Sequence, residues 1–336
     1  MVQELKKIMH IQGVSGREKP VMTELAGLIR PYADEIRTDA LGNLIACQKG
    51  ASKSGKTVML CAHADEIGFI VTFIEKNGWV RIAPIGGLRP WNTLYREVVF
   101  SGGTRGVIVP DAGQDVDNLS FEKCYVDIGA STGKEAERMV RIGETLAVAP
   151  NLVRLRGTRY TGRPVDDRLG CAILLEIARN LSGKACPHTV YYVFSVQEEV
   201  GCRGSGPASF DIRPDYALAF DVTGTGDVPG ATPMACTVGK GAAVKIKDGS
   251  VICHTEVVRR LRTLASEQKI KYQDEILLHG GTDTSMMQGT GMGSKAGALS
   301  VPTRYIHSAV ELFDLKDAQA CADLGAAFCM APEQED

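Results

Sequence analysis

The sequence predicts an α/β protein in which a mixed sheet flanked by helices is interrupted by a β-rich, barrel-like insertion. Unbroken apolar runs, which are typical of buried strands, occur at residues 57–62, 189–196 and 216–220. Helical spacing of apolar residues occurs at residues 167–180, 256–268 and 315–330. Their alternation indicates βαβ units around one sheet. Residues 68–161 follow a different pattern and predict the insertion.

The chain begins with a helical region. Apolar residues at helical spacing over residues 2–29 lie on both sides of a glycine-bearing segment at 13–16, which predicts two helices separated by a turn. Residues 35–48 and 57–62 then predict strands. The run at 57–62 lacks polar alternation, so we expect it to be central in the sheet.

The insertion consists of short β-rich runs separated by turns. These runs lie at residues 69–74, 79–82, 97–100, 105–109 and 123–128. Regularly spaced short strands without a long helix predict a small barrel or sandwich. We therefore expect residues 1–67 and 162–336 to form the two parts of one α/β domain, with residues 68–161 as a second domain.

The α/β pattern returns after residue 162. Leu169, Ile173 and Ile177 are spaced four apart, so one face of the helix predicted at 167–180 should pack on the sheet. The segment 271–277 and the last helix complete the series of βαβ-like units.

Composition excludes several kinds of partner. The 336 residues carry a formal net charge of -2 without long Lys/Arg blocks, which argues against binding to nucleic acid or to an anionic membrane. No apolar run approaches the ~20 residues of a membrane-spanning helix, and residues 1–10 lack a secretory apolar stretch. The ten cysteines include no CxxC pair, as expected for reduced thiols. We expect a cytoplasmic protein with small partners.

The most informative motif is QEEVG at residues 197–201, which follows the apolar run 189–196. Its adjacent carboxylates, Glu198 and Glu199, are costly after a buried strand unless a cation meets them. Both can serve one site only if the strand ends in a bend, because successive side chains of a strand point to opposite faces. One would then bind a metal while the other acts as a general base toward water. A solvated charged pair is the alternative.

Four other segments place matching side chains at the ends of predicted strands or helices: His63 with Asp65, Asp166 with Asp167, Asp221, and His307. Side chains at the carboxyl ends of strands in an open α/β sheet can converge on one crevice. His63 and Asp65 project to the same side of an extended segment, so one can bind a metal while the other orients it. Taken singly, each of these residues also has an ordinary structural explanation, such as helix capping by the aspartate pair.

The pooled set indicates the type of metal. Two histidines together with several carboxylates suit Zn²⁺ or Co²⁺, whereas carboxylates alone would have suggested Mg²⁺. The residues leave the identity of the metal open.

Together these segments resemble the M42 family of dinuclear-metal aminopeptidases, which includes glutamyl aminopeptidases and tetrahedral deblocking aminopeptidases. The matching motifs are HADEIG at 63–68, GRPVDDRLG at 162–170, QEEVG at 197–201, DVT at 221–223, GGTD at 280–283 and RYIHS at 304–308. The resemblance covers nearly the whole chain.

The resemblance implies a role for each site residue and two divalent metal ions per subunit, with Zn or Co expected. The implied metal ligands are His63 and Asp221 on separate metals, Asp166 as the bridge, and Glu199 and His307 as the remaining ligands. Glu198 would be the general base, and Asp65 would orient His63. Asp167 stays open as an alternative bridge.

The resemblance also implies the fold, the substrate and the assembly. It suggests a zinc-peptidase α/β domain interrupted by a β-rich dimerisation domain, and dimers that assemble into a hollow dodecamer acting on unfolded peptides. Two other functions stay open on the residues alone: a glycosidase with paired carboxylates, and a catalytically silent scaffold stabilised by metal. A glycosidase fits poorly, because its carboxyl groups face each other across a sugar at roughly 5–9.5 Å.

Overall fold

A computed structural model describes residues 1–115 and 118–332. The helices are α1 (Val2–Met9), α2 (Lys19–Ile29), α3 (Gly133–Met139), α4 (Arg168–Leu181), α5 (Ser205–Ile212), α6 (Thr255–Glu267), α7 (Thr284–Gly289) and α8 (Leu315–Met330). The strands from the start of the chain to the end of the barrel are β1 (Glu35–Thr38), β2 (Leu44–Gln48), β3 (Thr57–His63), β4 (Gly68–Ile74), β5 (Val80–Ile85), β6 (Glu97–Phe100), β7 (Arg105–Pro110), β8 (Cys124–Asp127) and β9 (Thr145–Val148). The later strands are β10 (Asn151–Arg154), β11 (Arg159–Arg163), β12 (Thr189–Ser195), β13 (Tyr216–Thr223), β14 (Ala242–Lys247), β15 (Tyr272–Ile276), β16 (Lys295–Arg304) and β17 (Glu311–Asp314).

The larger part of the chain folds around a mixed sheet of eleven strands, with the order β1-β2-β12-β3-β13-β16-β17-β11-β10; in addition, β14 pairs with β16, and β15 pairs with β14. Strand β3 is central, as predicted, and runs parallel to both β12 and β13. The parallel register places Ser195 opposite His63, so the carboxyl ends of these strands meet at one edge of the sheet.

Both faces of the sheet are buried, which explains the unbroken apolar runs. On β3, Val58 and Leu60 belong to the large core, whereas Met59 and Cys61 belong to a separate core cluster on the other side. Successive strand residues point to opposite faces, so a strand covered on both sides needs apolar residues throughout. Helices α4 and α8 pack on one face, and α5 and α7 on the other.

The predicted insertion contains a closed six-stranded barrel with the order β4-β5-β8-β7-β6-β9. Each strand contributes an inward apolar side chain to one core: Phe69, Val80, Val98, Ile108, Val126 and Leu146. The prediction of a mixed sheet flanked by helices with a barrel-like β-rich insertion is therefore confirmed.

Strand β10 and the first part of β11 lie within residues 68–161 in sequence, but both strands lie outside the barrel in space. They pair with each other, and β11 pairs with β17 of the large sheet. The barrel strands therefore end at Val148. The division of the chain at residues 67/68 and 161/162 stays a prediction.

No helix among residues 1–115 and 118–332 is long and apolar enough to cross a membrane.

Candidate metal centre and active site

The structure brings the side chains of all the predicted site residues together at the carboxyl edge of the central strands. His63 ends β3, Asp221 lies near the end of β13, and Glu198 and Glu199 follow β12. Asp166 precedes α4, and His307 lies between β16 and β17. Neighbouring parallel strands end at one edge of the sheet, so residues distant in sequence become neighbours there.

Asp166 lies between the two histidines. Its Oδ1 is 3.0 Å from His63 Nε2, and its Oδ2 is 3.2 Å from His307 Nε2. Glu199 Oε2 is 3.1 Å from the same His307 nitrogen, and Asp221 Oδ1 is 3.9 Å from His63 Nε2. The carboxylate of Asp166 thus joins a His63–Asp221 side of the cluster to a His307–Glu199 side.

Two groups of candidate ligands lie close enough to hold a metal ion. Within each group, the ligand atoms all lie within 4.8 Å of one another. One comprises His63, Asp166 and Glu199, and the other comprises His63, Asp167 and Asp221. The second group brings together His63 and Asp221, for which the resemblance implied separate ions. Asp167 also caps α4, because its Oδ1 accepts from Gly170 N at 2.9 Å.

The chemistry of the cluster fits divalent cations. Glu199 Oε1 and Asp167 Oδ2 are buried and have no hydrogen-bond partner among the described residues. No Lys or Arg among those residues lines the cavity that contains the cluster. Several carboxylates that share a buried site without a cationic side chain are strongly unfavourable unless another cation compensates them. Nitrogen and oxygen donors in this combination suit Zn²⁺-like ions.

Asp65 holds the two halves of the cluster in place. Its Oδ1 accepts from Glu198 N at 3.0 Å and lies 3.4 Å from His63 Nδ1. Its Oδ2 accepts from Glu199 N at 3.2 Å and from Ser15 Oγ at 2.6 Å. Burial opposes ionisation, but the contacts with His63 and Ser15 outweigh it and lower the pKa of Asp65. A charged Asp65 therefore fixes both the histidine and the glutamate pair.

Glu198 sits in a turn that starts after the end of β12. Gln197 has φ 55° and Gly201 has φ 117°, so the chain bends as a joint role for the two glutamates requires. Glu198 Oε1 accepts from the Cys202 thiol at 3.1 Å, and its Oε2 lies 3.9 Å from His63 Nε2. Burial raises the pKa of Glu198 well above its ordinary value.

Two opposing effects set the pKa values in the cluster. Burial disfavours the charged form of each group, and close contact with groups of opposite charge favours it. Burial would lower the pKa of His307, but its bonds to Asp166 and Glu199 raise it to about 12. The bonds of His63 to Asp166 and Asp65 likewise outweigh burial and raise its pKa. Burial would raise the pKa of Asp166, but its contacts with the two histidines lower it. For Asp221, burial prevails and raises the pKa. Positive charge at this place is thus strongly stabilised.

Sequence reasoning missed several residues that support the cluster. Glu311 is buried and accepts from His307 N at 3.0 Å, from Val165 N at 2.7 Å and from Asp166 N at 3.3 Å. Two barrel residues also contact His307: Gly87 accepts from its Nδ1 at 3.0 Å, and Asn92 Nδ2 donates to its backbone carbonyl at 3.2 Å. An isolated glutamate and a glycine-bearing loop carry no sequence signal of such contacts.

The GGTD motif at 280–283 is divided between the cavity and the interior. Gly280, Gly281 and Thr282 line the cavity. Asp283 points inward instead, where its carboxylate accepts from Ser195 Oγ at 2.5 Å. Asp283 therefore supports the end of β12 rather than the cavity.

The cluster opens into a cavity of about 430 Å³. Besides the candidate ligands and Glu198, it is lined by Gly87, Gly201, Cys202, Val222, Thr223, Gly224, Leu277, Gly280, Gly281, Thr282 and Ile306. A crevice of this size with convergent polar groups is typical of a small-molecule or peptide-end site.

Fold and site together define an α/β protein with a candidate metal-dependent active site, and comparisons with known proteins identify its family. The profile of the family described as M42 glutamyl aminopeptidase matches residues 42–324. A putative aminopeptidase of Acetivibrio thermocellus is 42% identical over 318 residues, which cover 94% of each chain. The chain belongs to the M42 family of aminopeptidases, whose members are metal-dependent, and it is a peptide-bond hydrolase. The resemblance predicted from the motifs is confirmed.

Solved structures agree with this assignment. An aminopeptidase from the archaeon Desulfurococcus kamchatkensis superimposes with a TM-score of 0.94 and 35% identity, covering 98% of this chain and 94% of that one. The TET1 peptidase of Pyrococcus horikoshii superimposes with a TM-score of 0.89 and 30% identity, covering 98% of this chain and 99% of that one. The latter is described as assembling into a tetrahedron or a large octahedral shell.

Proposed function

We propose that this aminopeptidase removes N-terminal residues from peptides with a pair of divalent metal ions, Zn or Co, and Glu198 as general base. The observation that carries the proposal is the position of Asp166, whose two carboxylate oxygens face His63 and His307 at 3.0 and 3.2 Å. A carboxylate that presents one oxygen to each of two histidines is suited to bridge two cations.

In this proposal the remaining ligands divide around Asp166. His63 and Asp221 hold one ion, and Glu199 and His307 hold the other, which follows the short distances within each pair. Asp65 is a positioning residue, because it contacts His63 Nδ1 and both glutamate backbone amides. A histidine ligand held through its second nitrogen has a fixed ring orientation.

Two divalent ions at this place would supply Lewis acidity to water and to the scissile carbonyl. Glu198 lines the cavity and is not hydrogen-bonded to any of the proposed ligands through its side chain, so its carboxylate is available to take a proton from the attacking water. Glu198 then returns a proton to the leaving amine, which balances the reaction. The Cys202 thiol, at 3.1 Å, fixes one oxygen of Glu198 and leaves the other directed toward His63.

We further propose that the protein forms homo-oligomers through the barrel, with dimers that assemble into a dodecamer. The barrel region exposes large apolar side chains: Phe73 is 58% exposed, Trp91 63% and Tyr95 69%. Exposed apolar groups in one region are typical of an interaction surface. The TET1 peptidase of Pyrococcus horikoshii, to which this chain is similar, can assemble into a tetrahedron or a large octahedral shell, which supports assembly of this chain into a large homo-oligomer.

The decisive experiment is peptide hydrolysis by the full-length protein, stripped with chelator and then reloaded with Zn²⁺, Co²⁺ or Mn²⁺. One peptide is supplied free, N-acetylated and C-terminally amidated, and the products are identified by mass spectrometry. We expect sequential loss of N-terminal residues from the free and amidated forms only, because an acetamide is a poorer metal ligand than an amine. Cleavage of the acetylated peptide, or hydrolysis of glucans in place of peptides, would reject the proposal. Activity that is indifferent to chelator would reject the metal.

A further inference from the structure

The part of the cavity lining that lies outside the ligand cluster and Glu198 has no charged side chain among the described residues. Its large side chains are Val222, Leu277 and Ile306, and the remainder are glycines, threonines and one cysteine. We infer that the cavity selects peptides whose first residue has an uncharged, apolar side chain, and that Leu277 determines this preference. The inference rests on the proposed aminopeptidase function.

Leu277 lies between two glycine-bearing loops. A Cβ at Gly224 would be 4.0 Å from Leu277 Cδ1, and a Cβ at Gly280 would be 3.6 Å from Leu277 Cδ2. Leu277 N donates to Lys247 O at 3.0 Å, which anchors this residue just after β15. Because the neighbouring loops present no side chain at those two positions, the leucine itself forms the apolar surface there.

Charged groups lie behind the cavity wall but are already paired. Lys245, Glu275 and Asp248 are fully buried, with the ammonium bonded to Glu275 and 3.7 Å from Asp248. Two threonines of the lining turn their hydroxyls toward this group: Thr223 donates to Glu275 at 2.8 Å and Thr282 to Asp248 at 3.4 Å. The ammonium is thus paired with the two carboxylates, and none of the three groups lies in the cavity lining.

This lining discriminates by desolvation. A lysine or glutamate side chain that enters the cavity loses water and finds no oppositely charged partner on this wall. A leucine or methionine side chain gains by contact with Leu277, Val222 and Ile306. An apolar pocket separates substrates by about 10-fold or more in kcat/KM, and the penalty on a buried charge acts in the same direction. The glutamyl preference in the family description is not expected of this chain.

The test is a panel of aminoacyl-aminomethylcoumarin substrates with Leu, Met, Lys or Glu, hydrolysed by the metal-loaded full-length protein. We expect kcat/KM for Leu and Met to exceed that for Lys and Glu by about 10-fold or more. A preference for Lys or Glu would overturn the inference while leaving the aminopeptidase function intact. If the protein cleaves none of the four substrates and no free peptide, the proposed function itself is rejected.

Two variants test the role of Leu277. Leu277→Asp should raise the ratio of kcat/KM for the Lys substrate to that for the Leu substrate about 10-fold. Leu277→Lys should raise the ratio for the Glu substrate to the Leu substrate by about the same factor, because each variant supplies the missing charge of opposite sign. The matched control is Leu278→Asp, because Leu278 is 62% exposed and does not line the cavity. Equal metal content is verified in all variants. Unchanged ratios in the two Leu277 variants, or an equal change in the control, would contradict the assignment.

Discussion

The ring nitrogen Nδ1 of His307 donates a hydrogen bond to the carbonyl oxygen of Gly87, at 3.0 Å. Gly87 follows a barrel strand, whereas His307 lies in the α/β part of the chain. When the ring loses its extra proton to bind a metal, donation from Nδ1 leaves Nε2 as the nitrogen with a free lone pair, and Nε2 is the atom that faces Asp166 and Glu199. The barrel, from which no candidate ligand comes, thus sets the tautomer and orientation of one.

Asn92 provides a direct test of this contact between barrel and site. Its side chain donates to the backbone carbonyl of His307 at 3.2 Å, so Asn92→Ala should loosen the loop that carries the histidine. We expect Zn²⁺ affinity to fall about 10-fold, as is typical when a group that orients a ligand is removed. Affinity is measured by competition with a chromogenic chelator. Asn151→Ala, at an exposed position outside the cavity, is the control, and equal affinities in the two variants would contradict the role.

The carboxylate of Asp65 accepts from three donors, so its replacement should disturb both the site and the fold. Asp65→Asn replaces with a neutral amide the carboxylate that accepts hydrogen bonds from the backbone amides of Glu198 and Glu199 and from the Ser15 hydroxyl. We expect a loss of about 1–3 kcal/mol in the free energy of unfolding, measured in urea without metal, together with weaker metal binding. Ser15→Ala, which removes one donor alone, should cost less. Unaltered stability and metal affinity in Asp65→Asn would show that the contacts are not needed.

Glu198→Gln separates proton transfer from metal binding. The amide fills the same space but cannot accept a proton, so kcat should fall by about 10²–10⁴-fold. Metal content, measured by inductively coupled plasma mass spectrometry, should equal that of the unmodified protein, because Glu198 is not among the proposed ligands. Near-normal turnover with full metal content would remove Glu198 from the role of general base.

Asp317 gives a prediction about pH that is independent of the site. Burial raises the pKa of Asp317 to about 6, although its carboxylate accepts from Gly239 N at 2.6 Å and Gly241 N at 2.7 Å. A carboxyl with a raised pKa in the folded state stabilises the fold while it is protonated, and this contribution is lost as the pH rises from its unfolded pKa through 6. Asp317→Asn should remove that loss.

The measurement for Asp317 is the free energy of unfolding in urea at several pH values from 4 to 7. The unmodified protein should lose on the order of 2 kcal/mol relative to Asp317→Asn as the pH rises across this interval. Parallel pH profiles for the two proteins would show that the pKa of Asp317 does not differ between the folded and unfolded states.

The sequence carried the information for the central sheet because strands buried on both faces need unbroken apolar runs. Strands β3, β12 and β13 were predicted for that reason. Strands β10, β11 and β17 were not, because they are short, and β10 and β11 are in addition partly exposed. Strand β16 was missed as well, since its Pro302 and small residues weaken the strand pattern.

Within the site, the sequence pointed to side chains whose chemistry is costly without a partner, such as Glu198 beside Glu199. It could not point to groups that act through geometry alone. Gly87 contributes only a carbonyl oxygen, and Glu311 contributes a carboxylate that binds backbone amides far away in sequence. Contacts of this kind follow from tertiary packing, so a single sequence without its fold gives no signal for them.

Anomalous diffraction at the zinc absorption edge, from crystals of the zinc-loaded protein, shows whether two metal ions share Asp166. We expect two anomalous peaks per chain, both next to Asp166, one adjoining His63 and Asp221 and the other adjoining Glu199 and His307. A single peak would contradict the proposal that Asp166 bridges two ions. Two peaks bridged by Asp167, with Asp166 in contact with only one of them or with neither, would also contradict it.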